Sequence, residues 1–266
     1  MSRPRCAQAF LVLMLAAGFA GCMHPSGPGV QMTLQVQQEP DVRAETALAE
    51  TRATLRKRLD ELGVRDAAIE TAGADRLSIR ASGVDDLERL RRLIQSDALL
   101  ELRLVRFPVQ GPDLTSEDAV LSHFQGQLPS DLEILKQEMK GENGQVTGEA
   151  FFAVERKPVI AGRDIATAQP GMGQFGQPIV EFRLTPEAAA VFSEATGANI
   201  GSRLAIVLDG RVMSAPVINS RIGDAGIIEG GFTREQAQDL AILLRSGPLP
   251  ARLTIIDEKV LEPGTR

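Results

Sequence analysis

The chain has 266 residues, enough for about two domains, and 43% of them are hydrophobic, which supports a core of ordinary size. A formal net charge of −6 argues against gripping a polyanion, so nucleic-acid binding is set aside. Two cysteines, two histidines and no Trp or Tyr exclude a disulfide framework, a zinc centre built from N and S donors, and an aromatic cage.

The N-terminus, Met1-Ser-Arg-Pro-Arg5, is short and basic, residues Ala7 to Ala17 carry no charge, and Phe19-Ala20-Gly21-Cys22 follows. That is the three-part layout of a secretory signal, with an apolar stretch too short for a stable span. Small residues directly before a cysteine resemble the bacterial lipobox, although Phe19 stands where Leu is usual. On this reading residues 1–21 are a lipoprotein signal peptide and Cys22 carries the lipid. The alternative is an ordinary signal cleaved after Ala20 or Gly21, leaving Cys22 as a free thiol. Residues 22–38 form a tether, with Pro and Gly concentrated between Met23 and Val30. Beyond Cys22 no apolar run approaches about 18 residues, so the expectation is a chain anchored to a membrane by its lipid without crossing it.

Gln31-Met-Thr-Leu-Gln-Val36 alternates as a half-buried strand does. From Val42 to Leu62 the spacing of Leu48, Thr51, Leu55, Leu59 and Leu62 predicts a helix, with Arg52, Arg56, Lys57 and Arg58 on other faces and Gly63 as its stop. Strands over 67–71 and 76–81 flank a turn at Gly73. A helix follows from Asp85, with Leu87, Leu90, Leu93 and Ile94 inward, and then a strand from Leu99 to Phe107. This β-α-β-β-α-β order is the ferredoxin-like plan. Pro108 to Gln145 is polar and punctuated, with modest helices near 116–126 and 130–140. Phe151–Arg156 and Ile179–Leu184 read as strands. Thr185-Pro186-Glu187 opens a helix with a hydroxyl cap and proline at its first position. Leu204 to Met213 is a hairpin turning on Asp209-Gly210. Thr233 and Gln236 make a capping box before the stripe Ala237, Leu240, Ala241 and Leu244, and Gly247-Pro248 ends that helix. Arg252–Val260 is a final strand assignable to either unit.

His24 lies in the tether and His123 beside Phe124 in a weak helix, and both read as solvated side chains. No Gly-x-Ser-x-Gly turn accompanies them. Asp85/Asp86 suits a helix start, where negative charge is favourable, and Asp257/Glu258 is likewise a pair adjacent in sequence. Gly171-Met-Gly173-Gln-Phe-Gly176 lacks the Lys-Ser/Thr of a phosphate cradle and reads as a mobile loop. These residues predict a module that is not an enzyme and needs no cofactor or metal, facing the cell envelope to bind or to build.

Five stretches carry a family likeness. Thr51-Arg-Ala-Thr-Leu-Arg-Lys-Arg-Leu-Asp-Glu-Leu-Gly-Val64 and Gln95-Ser-Asp-Ala-Leu-Leu-Glu-Leu-Arg-Leu-Val105 resemble the base of the first periplasmic domain of the SecD protein-export family. Asn199 to Ile218 and Gly230 to Pro250 resemble its head, as does Ile160-Ala-Gly-Arg-Asp-Ile165. The likeness covers roughly residues 40–262. It implies an α+β fold: a ferredoxin-like base (39–107 plus 248–262) closed by the C-terminal strand, with an inserted α+β head over 108–247. It also implies a hinge at Phe107, Pro108, Gly247 and Pro248, and a head that holds unfolded secretory preproteins. Met172, Gln174 and Phe175, in the glycine-rich loop, are the candidate binding residues. Further partners would be the Sec translocon or SecD/SecF, and the membrane through Cys22, with the protein facing the periplasm or extracytoplasmic space. SecD proteins carry transmembrane helices that couple export to the proton gradient, and no such helix is legible in this chain, so only the external role carries over. The alternative is a structural or regulatory envelope lipoprotein that binds a folded partner through the same fold.

Overall fold

The computed structural model of the chain describes residues 29–37, 44–106, 115–140 and 145–261. The signal, Cys22, His24, Phe107 and Pro108 lie outside the described residues. In chain order come β1 (Gly29–Val36), α1 (Ala44–Leu62), β2 (Ala68–Thr71), β3 (Arg76–Ala81), α2 (Leu87–Gln95) and β4 (Leu100–Val105). Next are α3 (Glu117–His123), β5 (Leu132–Lys140), β6 (Val146–Glu155), β7 (Ile160–Ala161), β8 (Ile165–Met172) and β9 (Pro178–Leu184). The chain continues with α4 (Pro186–Ala198), β10 (Arg203–Leu208), β11 (Arg211–Ser214), β12 (Ala225–Ile228), α5 (Arg234–Ser246) and β13 (Leu253–Leu261).

These elements make a mixed α+β structure with several sheets. The first runs β13-β1-β3-β2, antiparallel throughout. Met32, Leu34, Leu77 and Ile79 point from it into a core shared with Leu55 and Leu59 of α1 and Leu90 and Ile94 of α2. Gln31, Thr33, Ser78 and Arg80 occupy the other face, which is why β1 and β3 alternate in sequence. A larger sheet runs β11-β10-β4-β6-β5 with β7 on β4, and a three-stranded sheet runs β12-β9-β8. These two sheets enclose a second core with α4 and α5, in which Leu102, Leu204 and Ile206 meet Val180, Phe182, Phe192 and Leu240.

The caps legible in the sequence form. Asp86 Oδ1 accepts from Arg89 N at 2.9 Å at the start of α2, and Thr185 Oγ1 accepts from Ala188 N at 3.3 Å at the start of α4. Thr233 and Gln236 cap α5 reciprocally. Asp209 (φ 48°) and Gly210 (φ 79°) take the two positive φ values that a tight hairpin needs.

Four expectations are corrected. Residues 132–140 form β5, a strand paired with β6 along its whole length, and not a helix. Leu, Glu, Lys and Met favour a helix locally, but β6 offers Phe151, Phe152 and Val154 as partners, and pairing overrides propensity. The stretch read as a loop through Gly171 is strand β8 as far as Met172. Strand β4 does not complete the first sheet: it pairs with β10 from Leu100↔Leu208 to Val105↔Arg203, and β13 takes the edge beside β1. Alternation sets a strand's faces and leaves its partner open.

The fourth correction is Arg58, which is 1% exposed instead of lying on an outer face of α1. It donates to Leu93 O at 2.7 Å and Ser96 O at 2.6 Å at the end of α2, and to Gly247 O at 3.2 Å and Ser246 Oγ at 3.3 Å at the end of α5. The carbonyl ends of helices are negative, so they suit a cation. Burial lowers its pKa to about 10, against the opposing attraction of Asp209 and Asp97, and it remains charged at neutral pH. Arg58→Met keeps the bulk but strands these acceptors. It should cost about 3 kcal/mol of unfolding free energy, measured as a lowered urea midpoint.

Candidate functional site

An apolar groove of about 600 Å³ opens between the larger sheet, the three-stranded sheet and α4. Phe182 of β9 and Phe192 of α4 line it with Leu204 and Ile206 of β10, and Gln137 of β5, Arg203 and Glu229 add polar groups. Ile227 of β12, 50% exposed, and Val217 leave apolar surface open at the groove.

Each wall is held by a specific contact. The Thr185 cap starts α4 so that Ala188, Phe192 and Thr196 fall on its buried face. Thr196 Oγ1 donates to Phe192 O at 2.7 Å and accepts from Ile222 N at 2.9 Å, which fastens the segment carrying Ile222 to α4. Arg203 Nη1 donates to Ala215 O at 2.7 Å, and Leu204 N donates to Pro216 O at 2.9 Å, strapping the residues after β11 against β10. On β12, Gly226 faces Phe182, and a Cβ at that position would lie 2.7 Å from the ring's Cζ. Glycine there leaves room for the ring beside the groove.

Met172 and Phe175 stand at the tip of the β8–β9 hairpin, 54% and 93% exposed, with Gln174 exposed between them. The tip is a built turn. Gly176 N donates to Gly173 O, Gly173 N donates to Gln177 O, and Gln177 Oε1 accepts from Phe175 N at 3.1 Å. Gln177 Nε2 also donates to Glu229 Oε1 at 3.2 Å, so the turn is tied to a residue of the groove. The three candidate binding residues do not line the groove itself. Phe182, Phe192, Ile222 and Ile227, which do, were not singled out from the sequence. Spacing at i, i+4 and i+8 marks Phe192 as inward-facing but cannot distinguish a closed core from an open one.

Gly247 and Pro248 lie where the chain returns from α5 to the first sheet. Gly247 (φ 82°) caps α5, its N–H donating to Leu243 O, while its carbonyl accepts from Arg58. The outward crossing runs from Ser96 to β4. Here Asp209 accepts from Ser96 Oγ at 2.8 Å and from Leu99 N at 2.9 Å. Leu249 N donates to Asp97 O at 3.0 Å, so the two crossings lie side by side. Between α2 and α5, Arg89 bonds Asp239 at 2.7 Å and Arg92 pairs with Glu235 at 2.9 Å. Among the described residues no group of three or more His, Cys, Asp or Glu side chains is placed to hold a metal ion, and no helix is long and apolar enough to cross a membrane.

Burial lifts the Asp239 carboxyl above its ordinary value of 3.8 despite the Arg89 bond. The folded chain therefore holds that proton more tightly than the unfolded chain. The stability it contributes is fully present below pH 3.8 and is lost as pH rises through the raised value. Asp239→Asn has no such loss, so the variant should gain on the parent as pH rises from about 3 to about 7, followed by urea midpoints across that range.

The SecDF P1 head subdomain model matches residues 133–251, and the model for the N-terminal part of the SecDF P1 domain matches residues 48–106. The protein translocase subunit SecD of Aquifex aeolicus is 42% identical over 209 residues, covering 79% of this chain and 38% of that protein. A structure described as a membrane component SecDF that enhances protein export matches with TM-score 0.60 and 32% identity, over 85% of this chain and 98% of that one. A crystal structure of SecDF in a super-membrane-facing form matches with TM-score 0.66 and 32% identity, over 89% of this chain and 30% of that one. The chain spans about two-fifths of the length of the curated relatives it matches.

Proposed function

The chain belongs to the SecD family, and from that premise we propose that it assists protein export by holding unfolded secretory polypeptide in the groove. The open apolar groove with its polar rim carries this reading, because an extended chain offers apolar side chains and unpaired peptide groups at once. The relatives named as translocase subunits support it, as does the SecDF structure described as enhancing export. In this reading the first sheet with α1 and α2 is a ferredoxin-like base, which the antiparallel order β13-β1-β3-β2 supports. The rest is a head that turns about the crossings at Ser96–Leu99 and Gly247-Pro248, beside the Sec translocon or SecD/SecF. The hairpin tip with Met172, Gln174 and Phe175 is an outer contact for the same polypeptide.

A photo-crosslinker replacing Ile227 in living cells tests the groove. The expected catch is many different secretory proteins, lost when protein synthesis is stopped and lost in a chain also carrying Gly226→Val, which drives the Phe182 ring into the groove. A single folded envelope protein, captured with or without synthesis, would overturn the export role and favour a partner-binding lipoprotein.

A lipid on Cys22 would hold the protein at the membrane on the extracytoplasmic side. Cys22→Ser should move it from the membrane fraction to the soluble fraction and abolish labelling by a radioactive fatty acid.

A further inference from the structure

We infer that the groove reads the main chain of its occupant: an extended polypeptide segment adds to β12 as a new edge strand, and Ser214 supplies one further hydrogen bond. This rests on the reading that the groove holds unfolded polypeptide, and it specifies how.

Strand β12 pairs only with β9 among the described residues. Leu184 N donates to Asp224 O at 2.8 Å, which sets the phase of that pairing. Alternation then commits the peptide groups of Gly226 and Ile228 to β9 and turns those of Ala225 and Ile227 away from it. The same phase turns the carbonyl of Ala168, opposite Phe182 on β8, outward, and Arg245 Nη1 caps that carbonyl at 2.8 Å. The outward groups of β12 have no such cap among the hydrogen bonds of the described residues.

The other sheet edges are guarded. Strand β8 contains Pro170 as well as the Arg245 contact. Strands β5 and β11 close on each other through Gln137 Nε2 donating to Met213 O at 3.0 Å and Arg211 paired with Glu138 at 3.0 Å. Strand β13 is bulged at its register shift and carries Asp257, Glu258 and Lys259, and β2 carries Glu70. Ala225-Gly-Ile-Ile228 has no charge, proline or bulge, and it borders the groove.

Ser214 points to the same place. It lies opposite Ile206 in the β10–β11 pairing and lines the groove, and its Oγ is buried with no hydrogen-bond partner. A hydroxyl can donate and accept, so a peptide group in the groove would satisfy it. The four residues of β12 span about 13 Å, at about 3.3 Å per residue, which matches a short extended segment. Alternate side chains of that segment fall on the face of Phe182 and Phe192. The ligand class is therefore an extended chain with a large apolar residue at every second position and no proline where β12 must receive an N–H. Its sequence is otherwise free.

The test uses the whole purified protein and a fluorescent peptide of alternating Leu and Thr, with two derivatives N-methylated at the Leu or at the Thr amides. The parent peptide should bind, and methylation in one register should weaken it about tenfold, the loss of one or two hydrogen bonds, while the other register leaves it unchanged. Ile227→Pro, which removes an outward N–H and spares the bonds to β9, should weaken the parent peptide about as much. Ser214→Ala should weaken it several-fold without lowering the melting temperature, since it deletes an unpaired group. If the parent binds and neither methylated register nor Ile227→Pro weakens it, main-chain reading is overturned while the groove's role in holding polypeptide stands. If the parent does not bind at all, both fall together.

Discussion

A guanidinium shut away from water has five N–H donors to satisfy and a charge to balance. In this chain Arg58 meets both demands with the ends of two helices that belong to different layers of the fold. Its acceptors at Leu93 and Ser96 finish α2, and those at Ser246 and Gly247 finish α5. Those ends are also where the chain leaves the first sheet and where it comes back, so one side chain fixes the spacing of the two crossings. These bonds tie the end of α2 to the end of α5 at the point where the two crossings meet. Asp209, holding Ser96 and Leu99 from the β10–β11 turn, adds a second stitch on the same line.

The groove depends on this frame. Its walls come from β9, β10, β12 and α4, and β10 is oriented by pairing with β4, the strand that begins just past the Arg58 clamp. Within the walls the contacts are local and directional: Thr196 to Ile222, Arg203 to Ala215, Gly226 beneath Phe182. Open apolar surface is maintained by polar bonds behind it. That arrangement resists collapse, which an apolar cleft of this size would otherwise undergo to shed water.

Much of the framework is legible in sequence because it is written locally. Thr185, Asp86 and the Thr233/Gln236 box mark helix starts with hydroxyl or carboxylate acceptors three residues from their donors, and Asp209-Gly210 marks a turn. The family likeness placed the last strand in the first sheet, and β13 pairs there with β1. What was missed depends on distant partners. Residues 132–140 carry helix-favouring side chains and become a strand only because β6 lies beside them. Arg58 sits at the spacing of the buried stripe, three after Leu55 and four before Leu62, yet its charge argued for the surface. Only the carbonyls of Leu93, Ser96 and Gly247, remote in sequence, make burial tolerable. The groove is illegible for a related reason: periodicity says that Phe182 and Phe192 face inward, and nothing in it says that the space before them stays open.

Strand β1 begins at Gly29 and its neighbour β13 ends at Leu261, with residue pairs running from Gly29↔Leu261 to Val36↔Leu253. The first sheet is thus finished by residues far along the chain from β1. Until they arrive β1 is an open edge, and the helices above it cover a sheet with a strand missing. Pairing two strands so distant in sequence is slow because the intervening chain must close first. A chain whose first sheet waits on so distant a strand completes that sheet late in folding.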